Sequence, residues 1–160
     1  MSLQVDIQTA STGPVPSEDD IRSWIVAALA GRTRREETEI SVRLVDTEEM
    51  TTINETYRDK TGPTNVLSFP SDLPDELQLP LLGDIVICAP VVRMEAVQQG
   101  KSLCAHWAHM TIHGTLHLLG YDHITKGEAT TMEFLESAIL AGLDYPCPYH
   151  QNNLHQEHSV

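Results

Sequence analysis

The sequence predicts an α+β fold: one domain with a mixed sheet of about four strands, packed with about five helices. Three observations predict it. The chain has 160 residues, the length of a single domain. Short alternating apolar stretches are interleaved with stretches of helical spacing, in the order β-α-β-α-β-β-α-α-α. Hydrophobic residues make up 41% of the chain, enough for one core and too many for a disordered chain.

Each element has its own signal. Leu3, Val5 and Ile7 alternate with polar residues and form the first strand. STGPVPS then turns the chain, and Ser17 with Glu18, Asp19 and Asp20 opens a helix as a capping group with acids in the first turn. Ile21, Trp24, Ile25, Ala28 and Leu29 recur at helical spacing, and Gly31 ends the run. Ile40, Val42 and Leu44 mark a second strand. Asp46 or Thr47 caps a helix carrying Met50, Ile53, Asn54 and Tyr57. A loop follows from Arg58 to Pro63, then a short strand from Asn65 to Phe69 closed by Pro70. SDLPDELQLP is a proline-punctuated acidic loop. Leu81 to Cys88 is a strand in which Gly83 signals a bulge.

Pro90 suits the first turn of the next helix, which Gly100 interrupts. Ser102 starts a longer helix. Its stripe is Ala105, Ala108, Ile112, Leu116 and Leu119, and Gly120 stops it. Met132, Leu135, Ile139 and Leu143 mark the last helix. Residues 1–144 thus make the domain, and residues 145–160 are expected to form a loose tail.

Composition narrows the function. No apolar run reaches the length of about 18 residues that would span a bilayer, so no membrane is expected. The N-terminus lacks the basic start and apolar stretch of a signal peptide. Cys88, Cys104 and Cys147 form no paired framework and no CxxC motif, which fits a reducing compartment, the cytoplasm. Cys88 and Cys104 lie in apolar segments and are expected to be buried, inert thiols. Ten Lys plus Arg against 23 Asp plus Glu give a net charge of −13. This argues against broad coating of nucleic acid and leaves room only for a local basic pocket. The cations available for one are Arg32, Arg34, Arg35, Arg43, Arg58, Lys60, Arg93 and Lys101.

The chemistry concentrates in His113-Gly-Thr-Leu-His117-Leu-Leu-Gly120-Tyr-Asp-His123. His113 and His117 are one helical turn apart and share a face. Two imidazoles so placed converge on a metal ion, and a catalytic site needs a third ligand and an open position. His109 lies on the same stripe, but about 12 Å of helical rise separates it from His117. His123 fits better, because Gly120 can turn the chain back toward the helix. The predicted ligands are therefore His113, His117 and His123, with zinc as the default ion and other divalent transition metals as alternatives. His106 and His109 are expected to pack within the helix layer, as are Trp24 and Trp107 in the core.

The spacing HxxxHxxGxxH is that of the metzincin zinc proteases, and it makes the long helix a zincin-like metal helix. Those proteases carry a Glu general base after the first His, where this chain has Gly114. The pattern points to a metal and away from an ordinary metallopeptidase or amidase.

HGTLHLLGYDH as a whole resembles the signature of the YbeY family of bacterial endoribonucleases. INETYRDKTGPTNVLSFP, from Ile53 to Pro70, and LLGDIVI, from Leu81 to Ile87, are similar to the same family. The resemblance spans roughly Leu3 to Leu143. It implies one zinc ion held by His113, His117 and His123, an α+β fold, and processing of ribosomal RNA with a role in ribosome quality control. The small ribosomal subunit is the implied partner. It also implies a functional Arg beside the metal at Arg58, with His113 counted with it in the catalytic set. Arg58 suits a phosphate, because its planar fork pairs with oxyanions and stays charged. Thr64, Asn65 and Ser68 either line the substrate cleft or bond to the backbone. Asp122 either supports a ligand His or caps the turn. The alternatives are a zinc-containing ribosome assembly factor without catalysis, or a metallopeptidase- or amidase-type hydrolase.

Overall fold

A computed structural model describes residues 2–149 other than 73, 75, 76 and 78. Among these lie four strands, β1 (Ser2–Thr9), β2 (Glu37–Val45), β3 (Val66–Pro70) and β4 (Leu81–Cys88). Five helices accompany them: α1 (Glu18–Leu29), α2 (Thr47–Arg58), α3 (Ala89–Gln99), α4 (Leu103–Leu118) and α5 (Lys126–Gly142). The strands form one sheet in the order β1-β2-β4-β3. β1 and β4 run parallel to β2, while β3 pairs antiparallel with β4 at the edge. The sheet is mixed, as the sequence predicts.

Alternation along the strands gives the sheet two apolar faces. Ile40, Val42, Leu44, Ile85 and Ile87 join α1, α4 and α5 in the main core. Val45, Val86 and Cys88 face the other way, toward Met50 and Ile53 of α2. The predicted bulge is present. Glu39 pairs with Leu81 but Ile40 pairs with Gly83, so Leu82 is the extra residue.

α4 is the central helix. It packs against β3, β4, α1, α3 and α5, and its buried residues run all around it rather than along one stripe. Trp24 and Trp107 are 2% and 1% exposed, and both belong to the core. The caps follow from local chemistry. Ser17 and Ser102 each accept a backbone N–H at the start of α1 and α4, and Thr125 forms a capping box with Glu128 on α5.

Two expectations need correction. Asp46 is the N-cap residue of α2 but makes no side-chain cap bond. Its carboxylate instead accepts the Thr12 backbone N–H and hydroxyl, tying the loop after β1 to the start of α2. Cys104 is exposed, because it lies in the first turn of α4, and its Sγ is 3.1 Å from the Tyr145 hydroxyl. Cys88 is buried, and burial pushes its thiol up. Beyond residue 144, Tyr145 and Tyr149 both reach side chains of α4. The histidines His150, His155 and His158 lie outside the described residues.

Candidate metal centre

The cluster is built by the end of one helix and the turn after it. α4 closes in a Schellman arrangement: Tyr121 N–H donates to Leu116 O at 3.1 Å, and Gly120 N–H donates to His117 O at 3.0 Å. Gly120 takes φ +102°, a conformation that side chains with a Cβ rarely adopt. This reverses the chain within three residues and brings His123 back beside the helix face that carries His113 and His117. Asp122 shapes that return, since its Oδ1 accepts the His123 backbone N–H at 2.8 Å.

The three imidazoles then meet. One ligand nitrogen from each of His113, His117 and His123 lies within 4.8 Å of the others. The Nε2 atoms of His113 and His117 are 3.1 Å apart. Burial first, then the neighbouring His113 and His123, push the His117 imidazolium down to about 4. His117 is therefore neutral at pH 7 and its lone pair is available. The donor set is all nitrogen, half-buried at His113 and His117 and exposed at His123. Such a set fits a zinc-type ion with a position left for solvent or substrate.

Behind the cluster lies a carboxylate that the sequence reading missed. Glu136 of α5 is 1% exposed. Its Oε1 is 3.2 Å from His113 Nδ1, and its Oε2 is bonded to His109 Nε2. The Tyr149 hydroxyl donates to both oxygens, at 3.3 and 3.1 Å. Burial alone would raise this carboxyl, but the hydrogen bonds from His109 and His113 outweigh it and hold it down at about 2. Asp122 stands differently, with Oδ1 4.0 Å from His117 Nδ1, beyond hydrogen-bond reach. Its one trace in the sequence is a charge on the apolar stripe of the last helix, between Met132 and Ile139, which names no partner.

His106 and His109 do belong to the helix layer. They are 1% and 6% exposed, and each places Nε2 on a carboxylate, Glu95 and Glu136 respectively. Burial lowers both imidazoles below their ordinary range despite those partners.

The polar residues around β3 divide. Ser68 Oγ donates to the Gly114 carbonyl at 2.8 Å, tying β3 to the metal helix. Asn65 is used internally, with Nδ2 donating to the Glu95 carboxylate and Oδ1 accepting Val66 N–H. Thr64 is half-buried in the loop leading into β3. Arg58 is the last residue of α2 rather than the start of the loop. One of its nitrogens donates to the Ser68 carbonyl at 2.6 Å, and its guanidinium carbon lies 4.7 Å from the centroid of the Phe69 ring. Ser68 thus bonds on one side to Arg58 and on the other to the residue after His113.

Gly114 explains the missing carboxylate. A Cβ there would lie 2.9 Å from Ile85 Cγ2, and 3.2 Å from both Ser68 Oγ and Val66 Cγ2. The position faces the sheet at close approach and has no room for a glutamate.

Other cations serve the fold. Arg43 pairs with Glu49 and reaches Gln8. Arg93 donates to the Thr12 and Pro14 carbonyls, and Arg32 to the carbonyls of Ala28 and Ala30. No helix among the described residues is long and apolar enough to cross a membrane.

Known proteins share this sequence and fold. A family model described as Endoribonuclease YbeY matches residues 6–144. A protein of Stutzerimonas stutzeri named Endoribonuclease YbeY is 54% identical over 152 residues, covering 94% of each chain. One of the same name from Cellvibrio japonicus is 55% identical over 147 residues, covering 91% of this chain and 82% of its own. A solution structure from Thermotoga maritima shares the fold with a TM-score of 0.56 at 21% identity, covering 86% of this chain and 91% of its own.

Proposed function

The chain belongs to the Endoribonuclease YbeY family, and from that premise we propose that it cleaves single-stranded ribosomal RNA with one zinc ion held by His113, His117 and His123. The observation that carries this reading is the convergence of the three imidazoles within 4.8 Å. When bound, the ion supplies a concentrated positive charge that polarises a phosphate oxygen or lowers the pKa of a water.

The chain's own residues do the rest. The neutral ligands leave the ion its full charge. Arg58 is anchored at one nitrogen by the Ser68 carbonyl and stacked on Phe69. This preorganises the rest of its fork to take a phosphate beside the cluster and to offset charge as phosphorus is attacked. Thr64 and Ser68 border the same edge, and Ser68 sets the distance between β3 and the metal helix.

The net charge of −13 and the engagement of Arg32, Arg43 and Arg93 within the fold support weak binding to naked RNA. Docking is then supplied by a partner, the small ribosomal subunit, in the cytoplasm, where the protein takes part in ribosomal RNA processing and quality control. The Gly114 packing speaks against the peptidase alternative.

The test is cleavage of end-labelled structured ribosomal RNA by the wild type beside His117→Ala and Arg58→Ala. The expected result is cutting by the wild type and loss in both folded variants. Equal cutting by all three would overturn the assignment. A 2′,3′-cyclic phosphate at the product end would identify the RNA 2′-hydroxyl as nucleophile; a 3′-hydroxyl facing a 5′-phosphate would point to water.

A further inference from the structure

We propose that Glu136, clamped from behind by Tyr149 and His109, is the positioning residue of the metal site: it fixes the His113 ring and its tautomer so that Nε2 faces the ion. The proposal rests on the reading of His113, His117 and His123 as metal ligands and adds residues from α5 and from the segment after it.

The geometry carries it. Nε2 of His113 faces His117 at 3.1 Å, and Nδ1 faces Glu136 Oε1 at 3.2 Å. A carboxylate only accepts, so the imidazole's single proton belongs on Nδ1, and the lone pair on Nε2 is turned to the cluster. A ring free to flip or change tautomer would lose part of its affinity to the wrong states. A carboxylate behind a ligand imidazole also raises its basicity.

Glu136 is itself held in place. His109 bonds Oε2, and the Tyr149 hydroxyl reaches both oxygens. Burial and the adjacent carboxylate push the Tyr149 phenol up, so it remains a donor. His109 adds ring contacts on both sides, edge to face with His113 at 6.4 Å and with Tyr149 at 5.7 Å between centroids.

Charge gives a second, independent argument. A carboxylate that is 1% exposed is costly to bury unless a positive charge answers it. Its bonded partners are the Tyr149 hydroxyl and the imidazoles of His109 and His113. A dication on the far side of the His113 ring is the matching charge. Glu136 and the ion then stabilise one another through one imidazole.

The test uses full-length protein and Co2+ or Zn2+ as probes, with affinity measured by chelator competition and geometry by the Co2+ absorption spectrum. Glu136→Gln keeps the shape and removes the charge. It is expected to weaken metal binding about 10- to 100-fold and to alter the Co2+ spectrum. In the holo wild type, 15N signals of His113 should report a protonated Nδ1. Tyr149→Phe removes one hydroxyl and is expected to weaken binding several-fold, which keeps the idea testable if Glu136→Gln does not fold. Wild-type affinity and spectrum in a folded Glu136→Gln would overturn the proposal, as would unchanged affinity in Tyr149→Phe when Glu136→Gln does not fold. Failure of the wild type to bind either ion would overturn the metal reading itself, a distinct outcome.

Discussion

His106 and His109, in the first half of α4, are 1% and 6% exposed. His113 and His117, further along the same helix, keep 21% of each side chain exposed. The first pair each place a nitrogen on a buried or half-buried carboxylate. The second pair turn Nε2 toward one another and toward His123. One residue type on one helix thus serves two purposes, and surroundings decide which. α3 and α5 enclose the first half with Glu95 and Glu136, whereas the second half ends at a turn that opens to solvent and returns a third imidazole.

The sharpest way to break the comparison is to remove one histidine from each half. His117→Ala is expected to abolish one-per-chain metal binding, a loss beyond the roughly 100-fold that removing a supporting group costs. It should leave the unfolding transition of the metal-free protein nearly unchanged. His109→Ala should do the reverse to the fold. It leaves the buried Glu136 short of a donor and is expected to cost about 3 kcal/mol of stability in urea unfolding. If His117→Ala unfolds the protein while His109→Ala is silent, the two halves have been assigned the wrong way round.

Gly114→Ala probes the boundary between them. The new methyl meets Ile85 Cγ2 at 2.9 Å, so the helix or the sheet must shift. Overpacking of this kind costs about 1–3 kcal/mol and should show as a lower melting temperature.

The smallest effect is on pH dependence. Burial holds His106 below its ordinary range, so the unfolded chain takes up a proton more readily than the fold does. The stability from keeping it neutral is fully present above about pH 6.5 and is lost as pH falls below it toward the lowered folded value. Urea unfolding at pH 7 and pH 5.5 should show the decline. His106→Gln should make the decline shallower, the remainder coming from His109 and His117, which burial also lowers; an unchanged slope would show that His106 does not contribute.

Much of this was legible in the sequence, for identifiable reasons. The clustering of His113, His117 and His123 was readable because one turn of helix and one turn-forming glycine are local facts. β4 was readable from its run of apolar residues and its bulge glycine. Glu136 was not, because a charged residue on an apolar stripe acquires meaning only when α5 is laid beside α4. Asp46 was readable as the N-cap residue of α2, but not that its carboxylate turns to Thr12 instead of the helix. Tyr149 carried no signal of its own, because the partner that holds it is 13 residues back on another element. Arg58 remained ambiguous for a related reason: its neighbours, Ser68 and Phe69, lie on a strand whose place beside α2 comes only from the assembled sheet.

β3 has a consequence for how the molecule behaves in a crowded solution. It is the outer strand at one end of the sheet, and an outer strand is a template on which another chain can stack. Arg58 occupies the Ser68 carbonyl, and Pro70, at the strand's end, has no amide to offer. The same arginine that we propose meets phosphate therefore also guards against self-association. Its replacement is expected to raise the tendency of concentrated protein to aggregate, measurable by light scattering.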